Sequence, residues 1–219
     1  MAPQIISVHM LVTNIIVYLF SALVAFFISF FSYKTFKMTK ENKYAYFSLG
    51  FILLSLGLIL HSIGNMSIYL GIQQCFMKDI CTLSQQTFFL AHLLHVILTF
   101  FAYTILILIY FRVKEKVFVS FAFVQAFLLA LLTYSSYLFN VVGFIFTAFI
   151  IYGAYRNCKA NKSKNTKLAL IAFSLIGLSH LLSLLGNAIP AYVTLFLGYL
   201  AFLFIFIKPK PQNANAKKK

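Results

Sequence analysis

Residues 43–65 read KYAYFSLGFILLSLGLILHSIGN, and residues 165–187 read NTKLALIAFSLIGLSHLLSLLGN. Each stretch is long enough to cross a bilayer, because about 20 apolar residues at roughly 1.5 Å apiece cover the hydrocarbon core. Each holds one histidine, His61 or His180, and each ends in Gly-Asn. The offset of 122 positions holds upstream without a gap. It pairs Phe27 with Phe149, Tyr33 with Tyr155, Lys37 with Lys159, Lys40 with Lys162, Phe51 with Phe173, Gly64 with Gly186 and Asn65 with Asn187. The pattern predicts two copies of one membrane unit.

Composition extends this to the whole chain. Its 219 residues are 62% hydrophobic and 10% charged, with a mean hydropathy of +0.94. A soluble core leaves the outer side of each element polar, whereas a membrane helix needs apolar side chains on its lipid side as well. Seven apolar runs and short loops use up the sequence. They fall at about 5–32, 44–70, 87–111, 117–139, 141–155, 168–187 and, after Pro190, up to 207. The expected fold is an all-α bundle of seven transmembrane helices. Two parallel three-helix repeats, at about 5–112 and 141–207, are joined by a linker helix at 117–139, all within one membrane domain over 1–207. An odd number of helices per unit requires such a linker if both copies are to share one orientation. The first run lacks a basic leader and a small-residue cleavage site, so it reads as a retained helix. Residues 208–219, KPKPQNANAKKK, read as a disordered basic tail.

The net charge of +15 does not point to nucleic acid, because the basic residues sit between the apolar runs. The loops after the first, third, fifth and seventh runs carry 4, 3, 5 and 5 of the 18 Lys and Arg, which leaves only Lys78 elsewhere. The positive-inside rule then predicts an integral cell-membrane protein with its amino terminus outside and its carboxyl terminus cytoplasmic. A face this basic suits anionic lipid. Cys75 and Cys81 share an outer loop, where pairing is open to them, and Cys158 reads as a free thiol.

The 3+1+3 layout resembles the superfamily that holds SWEET sugar carriers, PQ-loop proteins and microbial rhodopsins, in which parallel repeats are related about an axis along the membrane normal. The stretch YKTFKMTKENKYAYFSLGFILLSLGLILH is also similar to that of uncharacterised small archaeal membrane proteins. The resemblance implies a topology and transfers no functional residue. Pro-Gln occurs only at Pro3-Gln4 and Pro211-Gln212, outside the apolar runs. The last run has no lysine for a retinal Schiff base.

No Lys, Arg, Asp or Glu falls inside any of the seven runs, which argues against ion-coupled carriers and pumps. No nucleophile elbow, P-loop, zincin motif or carboxylate pair is present, so enzyme activity has no motif behind it. Histidine is left as the most reactive intramembrane side chain. His61, His92, His95 and His180 all fall in the outward halves of their runs. Imidazole ligates Zn, Cu, Fe, Ni and haem iron, so these four are the candidate metal or haem ligands; the alternative is a hydrogen bond from each to a neighbouring helix. Asn65 shares a face with His61, and Ser183 and Asn187 share one with His180. With Gln125 of the linker helix, these are the candidate cavity-lining residues. Gly50, Gly57 and Gly64 recur every seven residues, with Ala172, Ser179 and Gly186 as their partners 122 positions on. Both stripes are expected to pack against neighbouring helices. Three functional classes follow: a small-solute carrier or receptor with a polar outward cavity, a haem or transition-metal membrane protein, and a membrane subunit acting through a homo-oligomer or protein partner.

Overall fold

The computed structural model describes residues 8–73, 78–113, 115–133 and 135–207. Over these residues the chain forms seven helices and no strand: α1 (Val8–Thr39), α2 (Asn42–Gln73), α3 (Lys78–Phe111), α4 (Lys116–Leu132), α5 (Ser136–Asn161), α6 (Lys164–Leu184) and α7 (Ala188–Ile207). Six of them are long and apolar enough to cross a membrane, and the chain is an integral membrane protein. The exception by length is α4, whose 17 residues cover about 25 Å at 1.5 Å each, the short end of the spanning range.

The helices close into a ring. Each of α1, α2 and α3 packs on the next, as do α5, α6 and α7; α3 meets α5, and α7 meets α1. Ring contacts give the directions. Along the α3–α5 seam, His92 meets Phe139, Phe100 meets Phe146 and Phe111 meets Tyr152. Along the α1–α7 seam, Asn14 meets Tyr192 and Phe20 meets Phe196. Residue numbers rise together in both cases, so both seams join parallel helices. Exchanging α1, α2 and α3 for α5, α6 and α7 therefore leaves the list of neighbours unchanged. Because α3 and α5 are parallel, α4 has to run back between them. It does so on the outside of the ring, against α3, with Phe123 on Phe101 and Ala126 beside Phe100.

The seven passes gather every described Lys and Arg side chain at the end where α1, α3 and α5 finish. Each of those helices stops on a basic residue in the left-handed region: Lys40 at φ 58°, Arg112 at 54° and Lys162 at 43°. Their backbone N–H groups close the last turns, as Lys162 does onto the Cys158 carbonyl at 2.9 Å.

Several boundaries differ from the sequence expectation: α1 runs on to Thr39, α3 begins at Lys78 and α5 runs on to Asn161, and two further differences bear on the site. The break between α4 and α5 falls at 133–135 and not at Asn140. Ser135 caps α5 by accepting from the Leu138 N–H at 3.2 Å, so Asn140 rides inside α5. α6 ends at Leu184, where Gly186 takes φ +77° with no atom within 4 Å of where its Cβ would be. Gly186 is thus a turn residue chosen for its backbone freedom and not a packing contact. The other small residues do pack. Gly50, Gly57 and Gly64 lie against Ala102, Thr99 and Ala91 of α3, and the Ala172 carbonyl faces Gly198 of α7. Polar pins join α1 to α2 where small residues bring them close: Ser29 and Ser48 each donate to the other's carbonyl, at 2.8 and 2.9 Å.

The half of the ring nearer the basic end is packed mainly with apolar side chains. Phe51 of α2 and Phe173 of α6 both meet Phe202 of α7 edge to face, at 5.2 and 4.6 Å between ring centres, with Ile28, Leu106 and Ile150 fully buried around them. Phe51 and Phe173 are partners at the 122-residue offset. Hydroxyls such as Ser29, Ser48 and Thr104 are buried in this half against backbone carbonyls, whereas His61, His92, His95, His180 and Asn65 lie in the other half.

Candidate functional site: a polar chamber inside the ring

On α3 a polar stripe runs His92, His95, Thr99, Tyr103, at spacings of three and four, so one face of the helix presents all four inward. His95 is 2% exposed. Its Nδ1 stands 2.9 Å from the Gly57 carbonyl oxygen. A carbonyl only accepts, so Nδ1 carries the proton and Nε2 keeps a lone pair. The slot exists because residue 57 has no side chain: a Cβ there would sit 3.3 Å from both His95 Nδ1 and Thr99 Oγ1.

His61 of α2 and His92 join His95. The ring centres are 4.7 Å apart for His61 and His95, 6.3 Å for His61 and His92, and 6.4 Å for His92 and His95. Tyr18 of α1 lies on the His61 ring at 4.3 Å. Buried His61 Nδ1, His92 Nδ1 and His95 Nε2 each lack a hydrogen-bond partner. An orphaned polar atom in a low-dielectric interior is costly, roughly 1–3 kcal/mol apiece, which makes three in one place unusual.

His180 of α6 does not join this group. Its Nδ1 donates to Asn140 Oδ1 at 3.0 Å, and its Nε2 accepts from the Tyr103 hydroxyl at 3.1 Å. Both nitrogens are satisfied and the tautomer is set by the amide oxygen. Phe139 stands between the two sites, 5.2 Å from the His95 ring and 5.6 Å from the His180 ring. The four-histidine ligand set expected from sequence thus divides into a trio and a separate, fully hydrogen-bonded His180. The reason is Asn140, which α5 carries one turn inside its capped start.

Between His95 and His180 lies a cavity of about 30 Å³, lined also by Tyr103, Asn140, Ser183 and Tyr192. That is room for one or a few water-sized groups. Above it a polar link ties three helices together: Asn65 donates to Asn14 Oδ1 at 3.3 Å, and Asn14 donates to the Tyr192 hydroxyl at 2.8 Å.

Of the expected lining residues, Ser183 lines the chamber and Asn65 is buried in that link. Ser179, expected only to pack, lines the chamber too. Asn187 is exposed beyond the end of α6 and borders neither of the two cavities described. Gln125 is exposed on α4 and borders a separate, mostly apolar space of about 120 Å³ between α3, α4 and α5. Cys158 is free, and the pairing of Cys75 with Cys81 lies outside the described residues. Sequence reasoning missed Tyr18, Tyr103, Tyr192, Asn14 and Asn140. Continuing the His92–His95 spacing by two further turns would have reached Tyr103.

Among the described residues, no three His, Cys, Asp or Glu side chains stand in a ready-made metal geometry. Compared with protein-family models, curated proteins and solved structures, the chain has no match.

Proposed function

We propose that this is a small-solute-binding membrane protein, carrier-like or receptor-like, whose site is the chamber between His95 and His180. One observation carries the reading: a cluster of acceptors and hydroxyls inside an otherwise apolar ring, with no charged side chain among its lining residues. Such a site has nothing to balance an anion. It suits a neutral or cationic solute little larger than water. The aromatic plug of Phe51, Phe173 and Phe202 blocks the basic end, so access is from the opposite end. With the basic end cytoplasmic, as the positive-inside rule has it, the chamber opens outward, the amino terminus is external and anionic lipid lies at the basic face. The symmetric order of neighbours supports an internal duplication and the 3+1+3 resemblance.

The test is a thermal-unfolding screen of the protein in nanodiscs against ammonium, methylammonium, urea and glycerol. At least one should raise the midpoint, and Asn140→Ala should abolish the rise. A flat response to all four overturns the reading. The assembly alternative has its own support in Gln125, an amide exposed mid-way along peripheral α4. A polar group there joins helices in a bilayer, and Gln125→Leu would convert an oligomer to monomer in native gels.

A further inference from the structure

We infer that His61, His92 and His95 form a binding site for a single transition-metal ion, and that the neutral ligand set selects a monovalent one, Cu(I) and its redox-inert analogue Ag(I). This goes beyond the solute reading: of the three rings only His95 lines the chamber.

Three observations meet at this point. The first is the orphaned nitrogens, one from each ring, two on α3 and one on α2. The second is how His95 is held. Metal-bound histidines donate their other ring N–H to a carbonyl or carboxylate, which sets the tautomer and aims the free lone pair. His95 does this through Gly57 while 2% exposed. The third is spacing. Three imidazoles around one ion in a trigonal plane place ring centres roughly 5.6 Å apart, given metal–nitrogen bonds of about 2.1 Å. The observed 4.7, 6.3 and 6.4 Å scatter around that figure. To reach that plane His61 and His95 have to part by roughly 0.9 Å and His92 has to swing inward by roughly 0.8 Å. As they stand, the three rings are not in a metal-holding geometry, and the site forms only when they adjust around the ion.

Charge then chooses among ions. Imidazole suits Zn, Cu, Fe and Ni alike. The described Asp, Glu and Cys side chains, namely Glu41, Glu115 and Cys158, all lie at the basic end. A dication bound by three neutral rings keeps its full charge in a low-dielectric interior, and the desolvation penalty grows with the square of charge. A monocation escapes most of it. A haem would need a slot for its macrocycle, and the chamber of about 30 Å³ has none.

The experiment uses the full chain in nanodiscs with Cys75, Cys81 and Cys158 changed to Ser, so that no thiol competes. The protein is exposed to Ag(I), desalted and assayed for silver. ¹⁵N-histidine spectra are recorded alongside. The expected result is one silver per chain with shifts of the His61, His92 and His95 ring nitrogens. His61→Gln and His95→Gln should each weaken binding at least tenfold, while His180→Gln leaves it within about twofold. Zn(II) should compete poorly. Silver retained equally by His95→Gln, or spectra in which His180 shifts with the others, overturns the proposal. So does no silver at all. If silver fails while methylammonium or urea still stabilises the protein, only the metal site is lost. If silver binds while all four solutes fail, the metal site stands without the wider solute reading.

Discussion

His95 and His180 occupy closely similar places. Each sits on an inward face, each is almost wholly buried, and each fits against a glycine on the preceding helix of its three-helix unit, Gly57 for His95 and Gly143 for His180. Yet His180 has both nitrogens bonded, while His95 has one bonded and one bare. Burial alone does not separate a fully bonded histidine from one with a bare nitrogen; an account of each nitrogen does. His180 ties α3, α5 and α6 together and has nothing left to offer a ligand. His95 is held from one side and presents a lone pair on the other.

The largest contrast should come from removing the two rings. His180→Leu leaves the Tyr103 hydroxyl and the Asn140 amide without their shared partner, at about 1–3 kcal/mol for each buried group. We expect a loss of about 2–4 kcal/mol, read as a fall in the unfolding midpoint in nanodiscs. His95→Leu also removes an orphaned nitrogen, so its cost should stay near or below about 1 kcal/mol. Equal losses would mean that the two histidines play the same part.

The glycines sharpen the same contrast. A Cβ at residue 143 would come within 2.7–3.0 Å of three atoms of the His180 ring, which is pinned at both ends. Gly143→Ala should cost about 1–3 kcal/mol as overpacking. At residue 57 the closest approach is 3.3 Å, to a ring anchored only through Nδ1. Gly57→Ala should cost about 1 kcal/mol or less and show as a moved His95 resonance more than as lost stability. The smallest effect lies outside the chamber. Lys162 ends α5 at φ 43°, a conformation that costs a residue with a Cβ about 1 kcal/mol and glycine little. Lys162→Gly should raise the midpoint slightly and leave both histidine sites unchanged.

Much of the fold was legible because hydrocarbon makes demands that each segment meets alone. The apolar runs, the charged turns and the small-residue stripe of α2 are local features, and they predicted α2, α6 and the facing of Gly50, Gly57 and Gly64. The errors came where a local pattern had two readings. Asn140 reads as the link between the linker helix and α5, but Ser135 caps α5 a turn earlier, which moves Asn140 into α5. Gly186 looked like a packing residue by its match with Gly64, but it ends α6. Gln125 looked like an interior amide because the sequence does not show that α4 stands outside the ring.

From the sequence alone came a membrane protein, its helix order, its basic end and four histidines in the half away from it. Those follow from length, hydropathy and charge, which a helix carries whatever its neighbours are. The tertiary structure decided which nitrogens are paired. These helices are apolar on nearly every side, so, the glycine stripe of α2 apart, no periodicity in them sets their rotation about their own axes. Only packing of one helix on the next, glycine against imidazole and serine against carbonyl, turns His95 toward His61 and His180 toward Asn140.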